Sequence, residues 1–432
     1  MEKNSEVLKK SVIYQMFIRN ETKEGTLKAA KQKLAEVQAL GVNILQLLPV
    51  HPIGKLGRKG TYGSPYSIQD YEAVSPDLGT KEDLKDFIQE AHRLGMKVIL
   101  DMVFNHTSRD SVLLDRHPEW YYRDKEGNIG NKAGCWSDVA DLDHEKPGLD
   151  EYLVHTVMKE YLRLGADGFR FDVASFLPSR LYRLARKSFG AEPIFVGEAV
   201  DSGFLLYARA KGIPALSNGE LFASGVDCVY HYASWKPLKE FLEEKDERKL
   251  LAYRSAFEVE SASRSQNGLI LRAVENHDQP RIASYSSSDS FVRNVLAFSF
   301  FTMGPAFLYA GEENKETETV PLFEKKAISD HSLDPDYTAF VKTLVAWKRE
   351  KNQGLRETLL LPSEGKTLLL KNRFDDGREV LGLFNLAEKP LTLTLGKEED
   401  GRYLDLLSQD TVEIQDGTVL LDCPRFLVKK ED

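Results

Sequence analysis

Two residues of opposite charge stand inside an otherwise apolar stretch of this sequence. Residues 164–175 are LGADGFRFDVAS, in which Arg170 and Asp172 alternate with two phenylalanines and a valine. Residues two apart on a strand point to the same side, so the cation and the carboxylate share one face of a predicted strand. Such a pair is either a structural ion pair or the floor of an active site.

Other acidic residues fall within or just after predicted strands. An ionised carboxylate is seldom buried without a partner, and several carboxylates in one cleft repel each other. Chemistry that needs two close carboxylates is typified by glycoside hydrolysis, in which one is the nucleophile or base and the other the general acid. The apolar surroundings of Glu198 favour a proton-holding acid, and Arg170 favours an ionised Asp172. The acidic residues at strand ends are Asp101, Asp172, Glu198, Glu275 and Asp278.

The elements that must position these residues repeat along the chain. Short apolar runs alternate with amphipathic helical stretches over about the first 350 residues, as in repeated βα units around a parallel sheet. Eight such units close a (β/α)8 TIM barrel of the α/β class, in which catalytic groups gather at the C-terminal ends of the strands. The runs predicted as strands are 11–18, 42–50, 97–104, 168–174, 193–199, 226–232, 269–277 and 305–311.

One helix of this pattern has a defined beginning and end. Thr80 is a capping residue with Asp83 three positions on, and apolar residues recur at helical spacing from Leu84 to Leu94. Gly95 ends the helix directly before the third strand.

The chain is predicted to divide into three parts. Residues 1–106 and 149–352 form the barrel, and 107–148 form a loop domain inserted after strand 3, because a segment so long and aperiodic is typical of a functional excursion. From 353 to 432, short alternating strands separated by turns predict a C-terminal antiparallel β-sandwich domain.

Composition excludes several classes of partner. The formal net charge of −9 and the absence of a dense Lys/Arg run argue against nucleic acid or an anionic membrane. The N-terminus lacks the apolar region of a secretory signal, so we expect a cytoplasmic protein. The cysteines Cys135, Cys228 and Cys423 have no CxxC spacing, which indicates neither a disulfide framework nor a zinc site. Nothing in the sequence indicates the oligomeric state.

Seven short segments follow one another in order, most of them at predicted strand ends. Together they resemble the conserved blocks of the α-amylase superfamily of retaining α-glycosidases and transglycosylases, over about residues 11–313. The segments are GVNILQLLPV (41–50), DMVFNH (101–106), DLDHEKP (141–147), GFRFDVAS (168–175), GEA (197–199), ENHDQP (275–280) and GPAFLYAGEE (304–313).

The resemblance implies a role for each matched position. It makes Asp172 the nucleophile that forms a covalent glycosyl-enzyme, Glu198 the acid/base, and Asp278 the carboxylate that holds the 2- and 3-hydroxyls. Further substrate contacts follow from the same match. These are Tyr66 as aromatic platform, His106 and His277 on sugar hydroxyls, Arg170 orienting the nucleophile, and Arg281 paired with Asp278.

Some positions keep two interpretations. Asp101 either supports the barrel or contacts the sugar, and Trp136 either packs the long loop or carries a sugar ring. Asn105 and Asp141 match positions that hold a structural calcium in many members, through hard oxygen ligands. We therefore expect no required cofactor but a possible calcium, and no second ion at 19–26.

The departures from the family pattern concern specificity. Ser175 and Phe176 stand where starch-degrading members often carry Lys-His on the leaving-group side. The predicted function is a retaining hydrolase of α-glucosidic bonds in short α-glucans such as maltodextrins. A transglycosylase and a sucrose- or trehalose-active transferase remain alternatives. A non-catalytic scaffold protein is a further alternative, but the presence of all three carboxylates argues against it. The preference for α-1,4 or α-1,6 bonds stays open.

Overall fold

The computed structural model describes residues 3–132, 136–264, 268–328 and 334–430. Eight parallel strands form its central sheet, and each lies within one of the runs predicted above. The observed strands are shorter because the predicted runs include the residues that lead into the loops. They are β1 (Val12–Met16), β2 (Ile44–Leu47), β3 (Lys97–Met102), β4 (Gly168–Phe171), β5 (Ile194–Gly197), β6 (Cys228–Tyr230), β7 (Leu269–Leu271) and β8 (Ala306–Tyr309).

The sheet curves into a barrel. Its strand order is β8-β1-β2-β3-β4-β5-β6-β7, and within the described residues β7 and β8 share no ladder. They are nevertheless side by side: a Cβ added to Gly304, just before β8, would lie 2.1 Å from the carbonyl oxygen of Ile270 in β7. Gly304 also has a φ of 127°, which side chains rarely adopt. A glycine is therefore required where the barrel closes, and the predicted TIM barrel is confirmed.

Helices connect the strands and cover the barrel. The predicted capping box is present, since Thr80 Oγ1 accepts from the Asp83 N–H at 3.1 Å and the Asp83 carboxylate accepts from the Thr80 N–H at 2.9 Å. None of the described helices is long and apolar enough to cross a membrane. The α-helices are Asn4–Lys9, Ile18–Glu21, Leu27–Ala39, Lys81–Arg93, Val112–Arg116, Leu149–Tyr152, Lys159–Leu164, Ser179–Phe189, Ser202–Ala210, Asn218–Ser224, Tyr232–Glu244, Glu247–Ala262, Asp289–Phe301 and Pro335–Ala346. Shorter turns are 3₁₀ (Pro118–Trp120, Ala174–Phe176, Ile282–Ser284, Glu312–Asn314, Lys397–Glu399) or π (Leu153–Met158, Trp347–Lys351).

The segment after β3 leaves and re-enters the barrel as a two-stranded ribbon. Strand His106–Ser108 pairs antiparallel with Val139–Asp141, so that His106 lies opposite Asp141. We call the chain from 106 to 148 the excursion. Its base is fixed at the C-terminal end of β3, beside the acidic residues.

The C-terminal region is antiparallel, as predicted. A six-stranded sheet of order β9-β10-β11-β16-β13-β14 faces a two-stranded sheet of β12 and β15. Leu368 and Leu370 join the core shared with the barrel, whereas Leu369 between them joins the apolar cluster between the two sheets. The strands are β9 (Leu355–Leu361), β10 (Thr367–Phe374), β11 (Glu379–Asn385), β12 (Leu391–Thr394), β13 (Gly401–Asp405), β14 (Thr411–Ile414), β15 (Thr418–Leu421) and β16 (Arg425–Lys429).

Candidate active site

Neighbouring parallel strands carry the acidic residues to one edge of the barrel. In the β3–β4 ladder Asp101 lies opposite Arg170. Directly beyond the strands, the Asp172 N–H donates to the Met102 carbonyl at 3.0 Å and the Glu198 N–H donates to the Phe171 carbonyl at 3.0 Å. The backbone ladder thus continues to both carboxylates, which fixes them at the C-terminal ends of β4 and β5.

Arg170 bridges three carboxylates. Its Nη1 donates to both oxygens of Asp101 at 2.8 Å and to Asp172 Oδ1 at 3.1 Å, and its Nη2 lies 2.9 Å from Glu198 Oε2. The side chains of Arg170 and Asp101 are 1% and 0% exposed. Burial alone would lower the pKa of Arg170, but the charges of Asp101 and Glu198 raise it well above its usual value. The buried ion pair is therefore also the floor of the site, and Asp101 supports it.

A strained residue joins the two facing carboxylates. Val173 directly follows Asp172 and has a φ of 43°, in the left-handed region that a β-branched residue rarely enters. This conformation aims the Val173 N–H at Glu198 Oε2, to which it donates at 2.9 Å. Such strain costs on the order of 1–3 kcal/mol and persists where the surrounding structure fixes it, often at active sites.

The electrostatics of Asp172 differ from the expectation. Burial, and then the negative charge of Glu198, raise the pKa of Asp172 well above its usual value, while Arg170 acts against them. Arg170 does favour the ionised form of Asp172, as predicted, but burial and the second carboxylate, which the prediction left out, outweigh it. The two carboxylates thus stand close enough for the charge of one to act on the other.

The third carboxylate lies against a histidine. His277 Nε2 is 3.0 Å from Asp278 Oδ2, and His277 Nδ1 is 3.1 Å from Gln15 Oε1. Burial raises the pKa of Asp278, but the charge and hydrogen bond of His277, with Arg170, bring it below its usual value. Asp278 is thus an ionised acceptor with an exposed side chain.

Tyr66 and His106 flank these carboxylates. Tyr66 Oη donates to Asp101 Oδ2 at 2.9 Å, and its ring stacks on His277 with centroids 5.4 Å apart. Burial lowers the pKa of His106 to about 4, so its ring is neutral at physiological pH. The ring of Trp136 is 5.6 Å from that of His106. The structure therefore brings Tyr66, Arg170 and His277 to the catalytic candidates, and His106 lies next to the Tyr66 backbone.

Arg281 is placed differently from the prediction. Its side chain is fully buried, and its Nη1 donates to Glu275 Oε1 at 2.6 Å, while Nη2 donates to the Ala310 carbonyl. The predicted pairing with Asp278 is wrong, because the buried carboxylate of Glu275 takes the guanidinium. Arg281 thus supports the barrel wall and offers no group to a substrate.

The predicted calcium ligands do not fit a calcium ion. Asp141 Oδ1 is buried without a hydrogen-bond partner in the described part of the chain, but Oδ2 accepts from the Lys132 N–H at 2.7 Å. The Lys132 ammonium donates to the Leu142 carbonyl at 3.0 Å, which places a cation beside Asp141. Asn105 instead contacts His106 through its amide nitrogen. Calcium takes about six to eight oxygen ligands, and no group of three or more acidic, His or Cys residues among those described could hold a metal.

Sequence reasoning missed the polar residues inside the barrel. Gln15 in β1 holds His277, and Gln46 in β2 accepts from the Tyr230 hydroxyl at 3.1 Å. The Arg170 guanidinium lies 5.8 Å from the ring centre of Tyr230. Each glutamine stands alone in an otherwise apolar strand, and this sequence signal could have predicted a polar contact inside the barrel. Of the cysteines, Cys228 and Cys423 are free thiols, and Cys135 lies outside the described residues.

Known proteins resemble this chain in both sequence and structure. The alpha amylase catalytic domain family matches residues 12–126. An alpha-amylase of Lactobacillus plantarum has a crystal structure that is 33% identical, with a TM-score of 0.90 over 99% of this chain and 100% of that one. The chain belongs to the alpha-amylase family. A noncanonic maltogenic alpha-amylase of Thermotoga neapolitana is 26% identical, with a TM-score of 0.85 over 98% of this chain and 100% of that one.

Curated relatives are longer proteins. Alpha-amylase 3 of Dictyoglomus thermophilum is 29% identical over 71% of this chain and 64% of its own length. An alpha-1,4-glucan:maltose-1-phosphate maltosyltransferase of Myxococcus xanthus is 29% identical over 54% of this chain and 38% of its own length. The family thus includes hydrolases and transferases of similar distance from this chain.

Proposed function

We propose that this protein is a retaining hydrolase of α-glucosidic bonds that acts on short α-glucans through a covalent glycosyl-enzyme. The observation that carries the proposal is the Arg170 bridge between Asp172 and Glu198. One guanidinium contacts both carboxylates, and the backbone N–H next to Asp172 is bonded to Glu198. This closeness supports the retaining arrangement, in which the two carboxyl groups are about 5–5.5 Å apart, over the wider inverting one.

The first step transfers a proton from Glu198. Glu198 donates it to the glycosidic oxygen, and a carboxylate oxygen of Asp172 attacks the anomeric carbon as the bond to the leaving group breaks. Arg170 holds Asp172 Oδ1, which leaves Oδ2 to attack. In the second step Glu198 removes a proton from water, which displaces Asp172 and releases the sugar.

The remaining residues bind the sugar in this proposal. Ionised Asp278 accepts from the 2- and 3-hydroxyls, and the histidines His106 and His277 bond other hydroxyls. Tyr66, whose hydroxyl is held by Asp101, provides the ring on which the sugar rests. Trp136 lies beside His106 and extends this surface.

A transglycosylase is the second candidate, and the observed maltosyltransferase relatives favour keeping it. Both reactions share the glycosyl-enzyme and differ in whether water or a sugar accepts the glycosyl group. Transfer from sucrose or between maltose and trehalose is a further alternative within this class.

We also propose a cytoplasmic location, which the free thiols of Cys228 and Cys423 support.

The test is a product profile of the purified protein. Maltose, maltotriose, maltoheptaose, panose, pullulan, sucrose and trehalose are each incubated with it, and the products are separated by chromatography. We expect glucose and short maltooligosaccharides from the linear α-1,4 substrates. Products longer than the substrate would indicate a transferase, and fructose from sucrose would indicate the sucrose-active alternative.

Asp172→Asn is the negative control, because the amide keeps the shape of the side chain but is a poor nucleophile. We expect turnover to fall at least about 1000-fold, as for other catalytic nucleophiles. Asp86→Asn is the matched control, since Asp86 is exposed on the helix Lys81–Arg93. Equal turnover by Asp172→Asn and wild type would contradict the assigned role.

A further inference from the structure

The three carboxylates of the site are not all fixed in the same way. The N–H groups of Asp172 and Glu198 continue the backbone ladder to the neighbouring strand. The N–H of Asp278 instead donates to Asn276 Oδ1 at 2.8 Å, a bond within its own turn. Strand β7, which leads to this turn, shares no ladder with β8 in the described part of the chain. Side chains rather than a continued ladder therefore set the position of Asp278.

Gln15 in β1 reaches this turn from the far side of β8. Its backbone is paired on both sides, in register with Tyr309 of β8 and with Gln46 of β2. Its side chain is fully buried. Gln15 Oε1 accepts from the His277 N–H at 3.3 Å and lies 3.1 Å from His277 Nδ1. One amide oxygen thus contacts both the main chain and the ring of the residue before Asp278.

These two contacts fix the orientation of the His277 ring. A backbone N–H can only donate, so the side-chain atom that faces it is the amide oxygen, which can only accept. His277 Nδ1 therefore carries the hydrogen that points to Gln15. The opposite ring atom, Nε2, faces Asp278 Oδ2 at 3.0 Å and Tyr66 Oη at 2.6 Å. The contact between His277 and Asp278 thus depends on how Gln15 orients the ring.

The Asp278 carboxylate has little else to hold it. Its side chain is 41% exposed, so packing does not fix its rotation. His277 is its one side-chain hydrogen-bond or ion-pair partner within the described residues. A group that binds substrate in a defined geometry needs its own orientation fixed to within about 0.5 Å by neighbouring residues. For Asp278 this support comes from His277 and, behind it, from Gln15.

We propose that Gln15 is a positioning residue, which through His277 holds Asp278 where the 2- and 3-hydroxyls of the sugar bind. This inference rests on the proposed function. Gln15 acts only through its amide oxygen, because its Nε2 is buried and has no hydrogen-bond partner in the described part of the chain. Its effect on turnover is therefore tied to the sugar hydroxyls that Asp278 accepts from.

The test combines the loss of the Gln15 oxygen with the loss of a sugar hydroxyl. The variant is Gln15→Met, which keeps the length of the side chain. The substrates are α-glucosyl fluoride and its 3-deoxy analogue, and the released fluoride is measured. We expect kcat/KM to fall about tenfold for α-glucosyl fluoride, the size of one lost hydrogen bond, but less than about threefold for the 3-deoxy analogue. A residue that supports only the fold would lower both by the same factor.

Gln46→Met is the matched control. Gln46 is also fully buried, is in register with Gln15, and has an Nε2 without a partner among the described residues. The two changes differ in what the lost oxygen accepts, since Gln46 Oε1 accepts from the Tyr230 hydroxyl at 3.1 Å instead of from His277. We expect Gln46→Met to change kcat/KM for both substrates by one common factor.

Gln15→Asn repeats the comparison with a polar side chain that ends one methylene short of His277, in case Gln15→Met does not fold. The same difference between the two substrates is expected. An equal fall for both substrates, or no fall, together with fluoride release that depends on Asp172, would overturn this inference and leave the proposed function standing. Absence of Asp172-dependent fluoride release by the wild type would overturn both.

Discussion

At the scale of single residues, the site depends on how the buried guanidinium of Arg170 divides its contacts among three carboxylates. Arg170 contacts both oxygens of Asp101 and makes one contact each with Asp172 and Glu198. One guanidinium cannot compensate three carboxylates, so burial and the charge of Glu198 raise the pKa of Asp172 although Arg170 acts against them. The ion pair that the strand pattern suggested is therefore also part of the candidate active site.

Tyr66→Phe tests whether the Tyr66 hydroxyl supports the pairing of Asp101 with Arg170. The change removes the hydroxyl that donates to Asp101 at 2.9 Å and keeps the ring that stacks on His277. The same hydroxyl lies 2.6 Å from His277 Nε2. Because a hydrogen bond to a charged group contributes about 1.5–3 kcal/mol, we expect the melting temperature to fall and kcat/KM to fall roughly 10- to 100-fold. Tyr62→Phe, at an exposed ring, is the control. Wild-type kinetics in Tyr66→Phe would show that Asp101 does not need this donor.

The acidic residue types just after predicted strands indicated Asp172, Glu198 and Asp278 as site residues. This worked because the backbone hydrogen bonds of a sheet fix where the residues that follow a strand lie. The partner of Arg281 was not predictable in the same way. Arg281 follows a turn, and whether its long side chain reaches Asp278 or Glu275 depends on rotamers that sequence spacing does not specify. The raised pKa of Asp172 was missed for a similar reason, since burial is a property of the assembled site.

At the scale of elements, the excursion is fixed by its two-stranded ribbon and is closed internally by Lys132. The ribbon sets His106 opposite Asp141, and Lys132 closes on Asp141 and Leu142 through its N–H and its ammonium group. Burial raises the pKa of Asp141 to about 6, and the Lys132 N–H and charge act against this rise. An internal cation thus stands beside the carboxylate that the resemblance to the family predicted as a calcium ligand.

Chelation is therefore expected to leave the wild-type protein unchanged. A ligand that binds the folded state raises its stability, so calcium removal lowers the melting temperature only where calcium is bound. We expect equal melting temperatures with EDTA and with added calcium, and a loss of about 1 kcal/mol in Lys132→Met. Lys125→Met, at an exposed lysine of the excursion, is the control. A wild-type melting temperature that falls in EDTA would contradict this account.

The elements differed in how well their sequences predicted them. The helix Lys81–Arg93 has a capping box and a regular apolar face, so its start was predicted at the observed residue. The helix Ser202–Ala210 was not predicted, because Ala208 alone of its nine residues is buried and its apolar residues give no one-sided pattern. Such predictions depend on a hydrophobic periodicity that this helix lacks.

At the scale of the whole molecule, the barrel and the C-terminal sheets meet around a buried lysine. Trp347 stacks on Phe301 at 6.0 Å and contacts Phe426 of β16 at 5.1 Å. Lys348, the next residue, is fully buried and donates to the Thr302 carbonyl at 2.8 Å. Burial lowers the pKa of Lys348 to about 7.

This lysine makes stability depend on pH. In the unfolded chain its pKa returns to about 10.4, so between about pH 7 and pH 10 the unfolded state binds a proton that the folded state does not. The contribution of Lys348 to the free energy of unfolding therefore rises with pH over this range. We expect Lys348→Met to gain most over wild type near pH 6 and least near pH 10, measured by thermal melts. A difference that does not change with pH would contradict this.

The barrel itself was predictable because eight βα units recur with a regular period. Its closure at Gly304 and the polar interior around Gln15 and Gln46 were not, since both depend on contacts between strands that lie far apart in sequence. The division of the chain at 107, 149 and 353 remains a prediction.

The stereochemistry of the first product tests the central claim most directly. Maltotriose is mixed with the enzyme, and proton NMR follows the anomeric signals before mutarotation equalises them. A covalent intermediate on Asp172 inverts the anomeric carbon twice, so the account predicts that the α-anomer appears first. The β-anomer appearing first would mean that water attacks directly between separated carboxylates, and would contradict the roles assigned to Asp172 and Glu198.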